Sequence, residues 1–91
     1  MYTIFIRPSL KKKLSKVGLK APKQAEAISK KVEEIIKDPH RYKNLKAPLN
    51  NWKRVHIDQH FVLTFSIDEK SKTIILEDFD HHDNIFKSKF Q

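Results

Sequence analysis

The stretch that decides the fold is His60-Phe61-Val62-Leu63-Thr64-Phe65-Ser66-Ile67. Phe61, Leu63, Phe65 and Ile67 fall on every second position, so a strand here presents one strongly apolar face. On either side, Trp52–Ile57 and Thr73–Phe79 share its β-branched and aromatic make-up. Asp58-Gln59 is a tight connection and Asp68–Lys72 a polar turn. Three strands joined this way form two successive hairpins, an antiparallel meander. A fourth strand, Tyr2–Arg7, precedes Pro8-Ser9 and can add to the same sheet.

Between these strands the period is helical. Ser9 suits a helix N-cap, Leu10, Leu14 and Val17 follow on one face, and Gly18, the only glycine, suits the stop. Pro22 suits the first turn of a second helix. Ala25, Ile28, Val32, Ile35 and Ile36 then recur through Lys37, and Asp38-Pro39 ends it. The short link implies an antiparallel helical hairpin, whose place is over the apolar sheet face. The expected architecture is one two-layer α+β domain over residues 1–91, ordered β-α-α-β-β-β, with an antiparallel sheet packed by the hairpin. Lys87–Gln91 reads as a loose tail that Phe86 and Phe90 can pin down.

Composition narrows the function. Ninety-one residues make one small domain, and there are no cysteines, which excludes disulfides, thiol nucleophiles and thiolate zinc sites. No apolar run approaches the roughly 20 residues that span a bilayer, and the N-terminus has no signal-peptide pattern, so a soluble, cytoplasmic domain is expected. The net charge of +8 favours a polyanionic partner. That surplus lies in residues 1–46, whereas residues 47–91 are close to balance.

The balanced half holds the titratable chemistry. Histidine exchanges protons near neutral pH, and four of the five histidines are His56, His60, His81 and His82. His56 and His60 flank one hairpin connection, and His81 and His82 close the last strand. Neighbouring strands can therefore bring them together on the sheet face that the helices leave open, as an acid/base site. Glu77, Asp78, Asp80 and Asp83 add oxygen ligands beside them, but no spacing with a metal-binding geometry appears. The near absence of glycine also excludes a phosphate-cradling loop and a nucleophile elbow.

The run Pro39-His40-Arg41-Tyr42-Lys43-Asn44-Leu45-Lys46-Ala47-Pro48-Leu49, followed by Trp52-Lys53-Arg54-Val55-His56-Ile57, resembles the RelE/ParE toxin superfamily. The ending His82-Asp83-Asn84-Ile85-Phe86 is similar to that of its YafQ-like mRNA interferase branch. The resemblance spans nearly the whole chain and implies a RelE-like fold. It implies a type II toxin that cuts mRNA, usually on the ribosome, without metal or other cofactor, and that an acidic antitoxin neutralises. In that chemistry the RNA 2′-hydroxyl attacks the adjacent phosphate, which calls for a base, an acid and cationic donors. By motif, His56 and His82 would be the acid/base pair and Arg54 the phosphate stabiliser. His81 competes with His82 for the terminal position, and His60 stands where the branch places an aspartate. Asp83 would act as a base or orient a histidine. Lys46, Trp52 and Lys53 would contact RNA, and Phe86 would stack on a base. Two alternatives share the fold: a ParE-like gyrase-inhibiting toxin without nuclease activity, and an inactive orphan RNA-binding module.

Overall fold

A computed structural model describes residues 1–45 and 51–89, with the backbone alone described for residues 86–89. Strand β1 (Thr3–Ile6) leads into helices α1 (Pro8–Lys20) and α2 (Pro22–Lys37), then a single 3-10 turn (Pro39–Arg41). Strands β2 (Lys53–His56), β3 (Phe61–Asp68) and β4 (Thr73–His81) follow, and helix α3 (His82–Lys89) closes the described chain. No described helix is long and apolar enough to cross a membrane.

The sheet order is β1-β4-β3-β2. The meander β2-β3-β4 is antiparallel, with Val55 opposite Leu63 and Phe61 opposite His81. The expected all-antiparallel sheet is corrected in one respect: β1 joins β4 in parallel, Ile4 beside Ile74, so the sheet is mixed. The reason is the path of the hairpin. Two helices return the chain to the end of the sheet at which β1 began, and the meander then leaves β4 running in the direction of β1.

The apolar faces meet as their spacing requires. Leu10, Ile28 and Ile35 from the helices pack on Val55, Leu63, Phe65, Ile74, Leu76 and Phe79 from the sheet. Each large side chain taken fully from water contributes roughly 1.5–3 kcal/mol. A bulge in β4 makes this face continuous. Phe65 pairs with Leu76 but Thr64 pairs with Asp78, leaving Glu77 as the extra residue. Strict alternation after Ile74 and Leu76 would turn Asp78 and Asp80 into the core. The bulge brings Phe79 inward opposite Leu63 and turns both aspartates away.

Three local expectations are corrected. Ser9 is not the N-cap: α1 begins one residue earlier, with Pro8 in its first turn and Arg7 preceding it. Gly18 does not end the helix, has no positive φ, and lies inside a helix that runs to Lys20. Only Ala21 separates the two helices. Residues 87–89 are helical rather than a loose tail, because Ile85 anchors α3 with 1% of its surface exposed. Helix α3 packs on β3 and β4, on the face that carries the fully buried Val62 and Thr64. Part of the face expected to be open is therefore covered.

Candidate active site

Four imidazoles gather where β2 turns into β3 and β4 passes into α3. The rings of His56 and His82 stack with centroids 6.1 Å apart and planes 21° from parallel. Those of His60 and His81 stack at 5.8 Å and 5°. Sheet register causes both pairings. Phe61 lies opposite His81, and the His82 N–H donates to His60 O at 2.6 Å, extending the ladder by one residue. His56 is paired with Val62 one strand over, which sets it on the face where α3 starts. Asp58 shapes the turn by accepting the His60 and Phe61 N–H groups at 2.8 and 3.0 Å. Those donors, His60 first, hold its carboxyl below the usual aspartate range.

Asp83 stands beside the terminal pair, with carboxylate oxygens 3.5 Å from His82 Nδ1 and 3.9 Å from His81 Nδ1. The Asp83 N–H donates to His81 Nδ1 at 3.3 Å, which assigns the proton of the neutral ring to Nε2. A side edge of Phe61 supports His81, 5.6 Å between centroids. His56 and His60 are exposed, and His81 and His82 are half-buried. Proton donors and acceptors are thus reachable from solvent.

The acidic run beside these rings is neutralised by the basic N-terminal half. Glu77 accepts from Arg7 Nε at 2.9 Å and from Ser66 Oγ at 2.6 Å. Lys13 Nζ lies 2.8 Å from Asp78 Oδ1 and 3.3 Å from Asp80 Oδ2. Strand β1 ends beside Leu76, so the rest of β4 is open on that side for Lys13 to approach. Burial lowers the Lys13 ammonium, but the two aspartates outweigh it and the net shift is upward. Burial likewise raises the Asp80 carboxyl. The Asn84 amide, the His81 N–H and Lys13 outweigh that, and its net shift is downward.

Arg54 lines an open cleft with His56, Val55, Arg41, Tyr42 and Lys43. Lys53 Nζ is bound to the chain itself, donating to Tyr42 O at 3.0 Å and Asn44 Oδ1 at 2.7 Å. Trp52 is half-buried just before β2. Lys46 and the Phe86 side chain lie outside the described residues. Among the described residues no three histidine or carboxylate groups converge to hold a metal ion. The sequence reading passed over Arg41, Tyr42 and Lys43 as site residues. Two cations flanking an aromatic ring at the end of the 3-10 turn were the available signal.

Comparison with known proteins places the chain in a family. The family model "ParE toxin of type II toxin-antitoxin system, parDE" matches residues 4–86. A Methanocaldococcus jannaschii protein described as "Putative toxin RelE4" is 58% identical over 89 residues, covering 98% of this chain and 95% of its own. The YoeB/ParE toxin from Agrobacterium tumefaciens has the same fold, with a TM-score of 0.80 at 10% identity over 88% of this chain and 98% of its own. YafQ from E. coli superposes with a TM-score of 0.72 at 13% identity, covering 94% and 99% of the two chains. A model matched over almost the full length and a relative more than half identical lead to one assignment: the chain belongs to the ParE toxin family of type II toxin-antitoxin systems, within the RelE/ParE superfamily.

Proposed function

We propose that this protein is a metal-independent endoribonuclease toxin that cuts mRNA on the ribosome. The observation that carries the reading is the stacked pair His56–His82, 6.1 Å between centroids, with Arg54 two residues from His56 on the same strand. Cleavage by the 2′-hydroxyl needs one group to take its proton and another to protonate the departing 5′-oxygen. Two imidazoles at one solvent-facing point meet that need. Arg54 stabilises the charge that develops on the phosphate. Asp83 orients the terminal histidines, and His60 and His81 form a second, supporting pair. Neutralisation of Glu77, Asp78 and Asp80 by Arg7 and Lys13 removes the repulsion an RNA phosphate would otherwise meet.

The partner that neutralises such a toxin is an acidic antitoxin. Exposed Lys11, Lys12, Lys16, Lys20 and Lys23 on α1 and α2 form the basic surface for it, and the 86% exposed Leu19 supplies an apolar contact among them. A second reading, a gyrase-inhibiting toxin without nuclease activity, draws support from the match to the ParE model. Clustered imidazoles have no purpose in a pure binder, which favours the first.

The test adds purified protein to a translation reaction and maps new mRNA 3′ ends. Cleavage that persists in EDTA and falls about 10²–10⁴-fold in His56→Ala and His82→Ala supports the nuclease. Intact mRNA together with inhibited supercoiling supports the gyrase reading. RNA binding with neither outcome identifies an inactive RNA-binding module.

A further inference from the structure

The cleft beside His56 has an origin in the chain path. Leu45 N–H donates to Trp52 O at 2.8 Å and Arg54 N–H to Lys43 O at 3.2 Å, so residues 43–45 run antiparallel along the outer edge of β2. Before Lys43 the chain comes from the 3-10 turn, and a wedge of about 350 Å3 is left between Arg41–Lys43 and Arg54–His56. Arg41 and Lys43 are exposed, and Arg54 is half-buried. The ion pairs found among the described residues all lie elsewhere, so none of these three cations meets a carboxylate. Arg7 and Lys13, by contrast, are each held by acids of β4. The Arg41 guanidinium lies over the Tyr42 ring, 5.3 Å from its centroid, and the two line one side of the wedge. His56 lines the other.

We infer that this wedge is a phosphodiester subsite for single-stranded RNA. Arg41 and Lys43 bind backbone phosphates that flank the bond held at His56 and His82, and the Arg41–Tyr42 wall receives the adjoining ribose or base. The position of the subsite relative to cleavage rests on the nuclease reading; its affinity for RNA does not. A volume in the range of small-ligand sites suits one or two nucleotide units rather than a partner helix about 10 Å across. The wedge also ends at an imidazole pair, for which an acidic protein has no chemical need.

The test measures binding of a fluorescein-labelled, 2′-O-methyl RNA hexamer, which cannot be cleaved, by anisotropy across a salt series. Arg41→Ala and Lys43→Ala are each expected to weaken binding and to flatten the slope of log K against log salt by about 0.7. Arg41→Lys keeps the slope and loses affinity through the lost planar contact. Lys30→Ala, an exposed lysine paired with Glu26 on α2, changes neither. In cleavage, the two alanine variants raise KM and spare kcat. The subsite is overturned if both alanine variants keep the wild-type slope, or if they weaken binding of an acidic antitoxin while RNA binding is unchanged. If RNA binding responds as expected but the wild-type protein cuts no mRNA, the subsite stands and the nuclease reading fails. Both variants alter exposed side chains, and an unchanged Tm excludes loss of folding as the cause.

Discussion

Lys13, on the first helix, places its ammonium 2.8 Å from the Asp78 carboxylate on the last strand, 65 residues later. The same ammonium reaches Asp80, and Asp80 in turn accepts from Asn84 of α3 at 3.1 Å. One lysine thus joins the helical hairpin to the corner from which His81 and His82 project. Lys13→Met is expected to lower stability by about 0.5–1 kcal/mol, a figure reduced for the partial exposure of the ammonium. Urea unfolding checks it. A double-mutant cycle with Asp80→Asn should show that the two changes are not additive, since they remove one shared contact.

Helix α3 has eight residues, too few to be stable without tertiary support. Ile85, 1% exposed, supplies that support. Ile85→Ala should cost about 2–5 kcal/mol locally. Amide exchange should accelerate through α3 while β3 and β4 stay protected. His82, the first residue of α3, would lose its fixed position against His56, so under the proposed nuclease function cleavage should fall with the loss of protection.

Gly18 sits in the interior of α1 with no positive φ, and a Cβ built there meets nothing within 4 Å. The flexibility of glycine is therefore an uncompensated entropic cost. Gly18→Ala should stabilise the fold by about 0.5–1 kcal/mol and raise Tm without altering RNA binding.

Glu69, in the β3–β4 turn, accepts from the Tyr2 hydroxyl at 2.6 Å and lies near His40 and Lys72. The Tyr2 hydrogen bond, then His40 and Lys72, hold its carboxyl down to about 2. A folded-state pKa below the unfolded value means stability that is present above about pH 4.5 and lost as pH falls toward 2. Glu69→Gln should flatten the dependence of Tm on pH between 5 and 2, lowering Tm above pH 5, where the ionised carboxylate acts, and leaving it little changed near pH 2. An unchanged acid limb would rule this linkage out.

Legibility in the sequence followed the range of the interaction. The alternation of Phe61, Leu63, Phe65 and Ile67 marked β3, and the recurrence of Ile28, Val32, Ile35 and Ile36 marked α2, because burial of one face writes its period locally. The grouping of histidines at strand ends was also visible, since hairpin order alone brings those ends together. The tail reads as loose in the sequence because α3 is too short to carry a clear period, and its anchor Ile85 is a single residue.

By itself, then, the sequence determined an α+β domain with a meander, a helical hairpin, a basic first half and a histidine-bearing second half. Tertiary structure alone decided the rest. The parallel placement of β1 depends on where the hairpin returns the chain. The bulge at Glu77 depends on which of two alternations fills the core, Phe79 or the aspartates. The stacking of His56 on His82, the capture of the acidic run by Lys13 and Arg7, and the cationic wedge at Arg41 depend on contacts between elements distant in the chain. Such contacts leave no period behind. Their energy comes from groups that meet only after the core has packed, so no local pattern of residues records them.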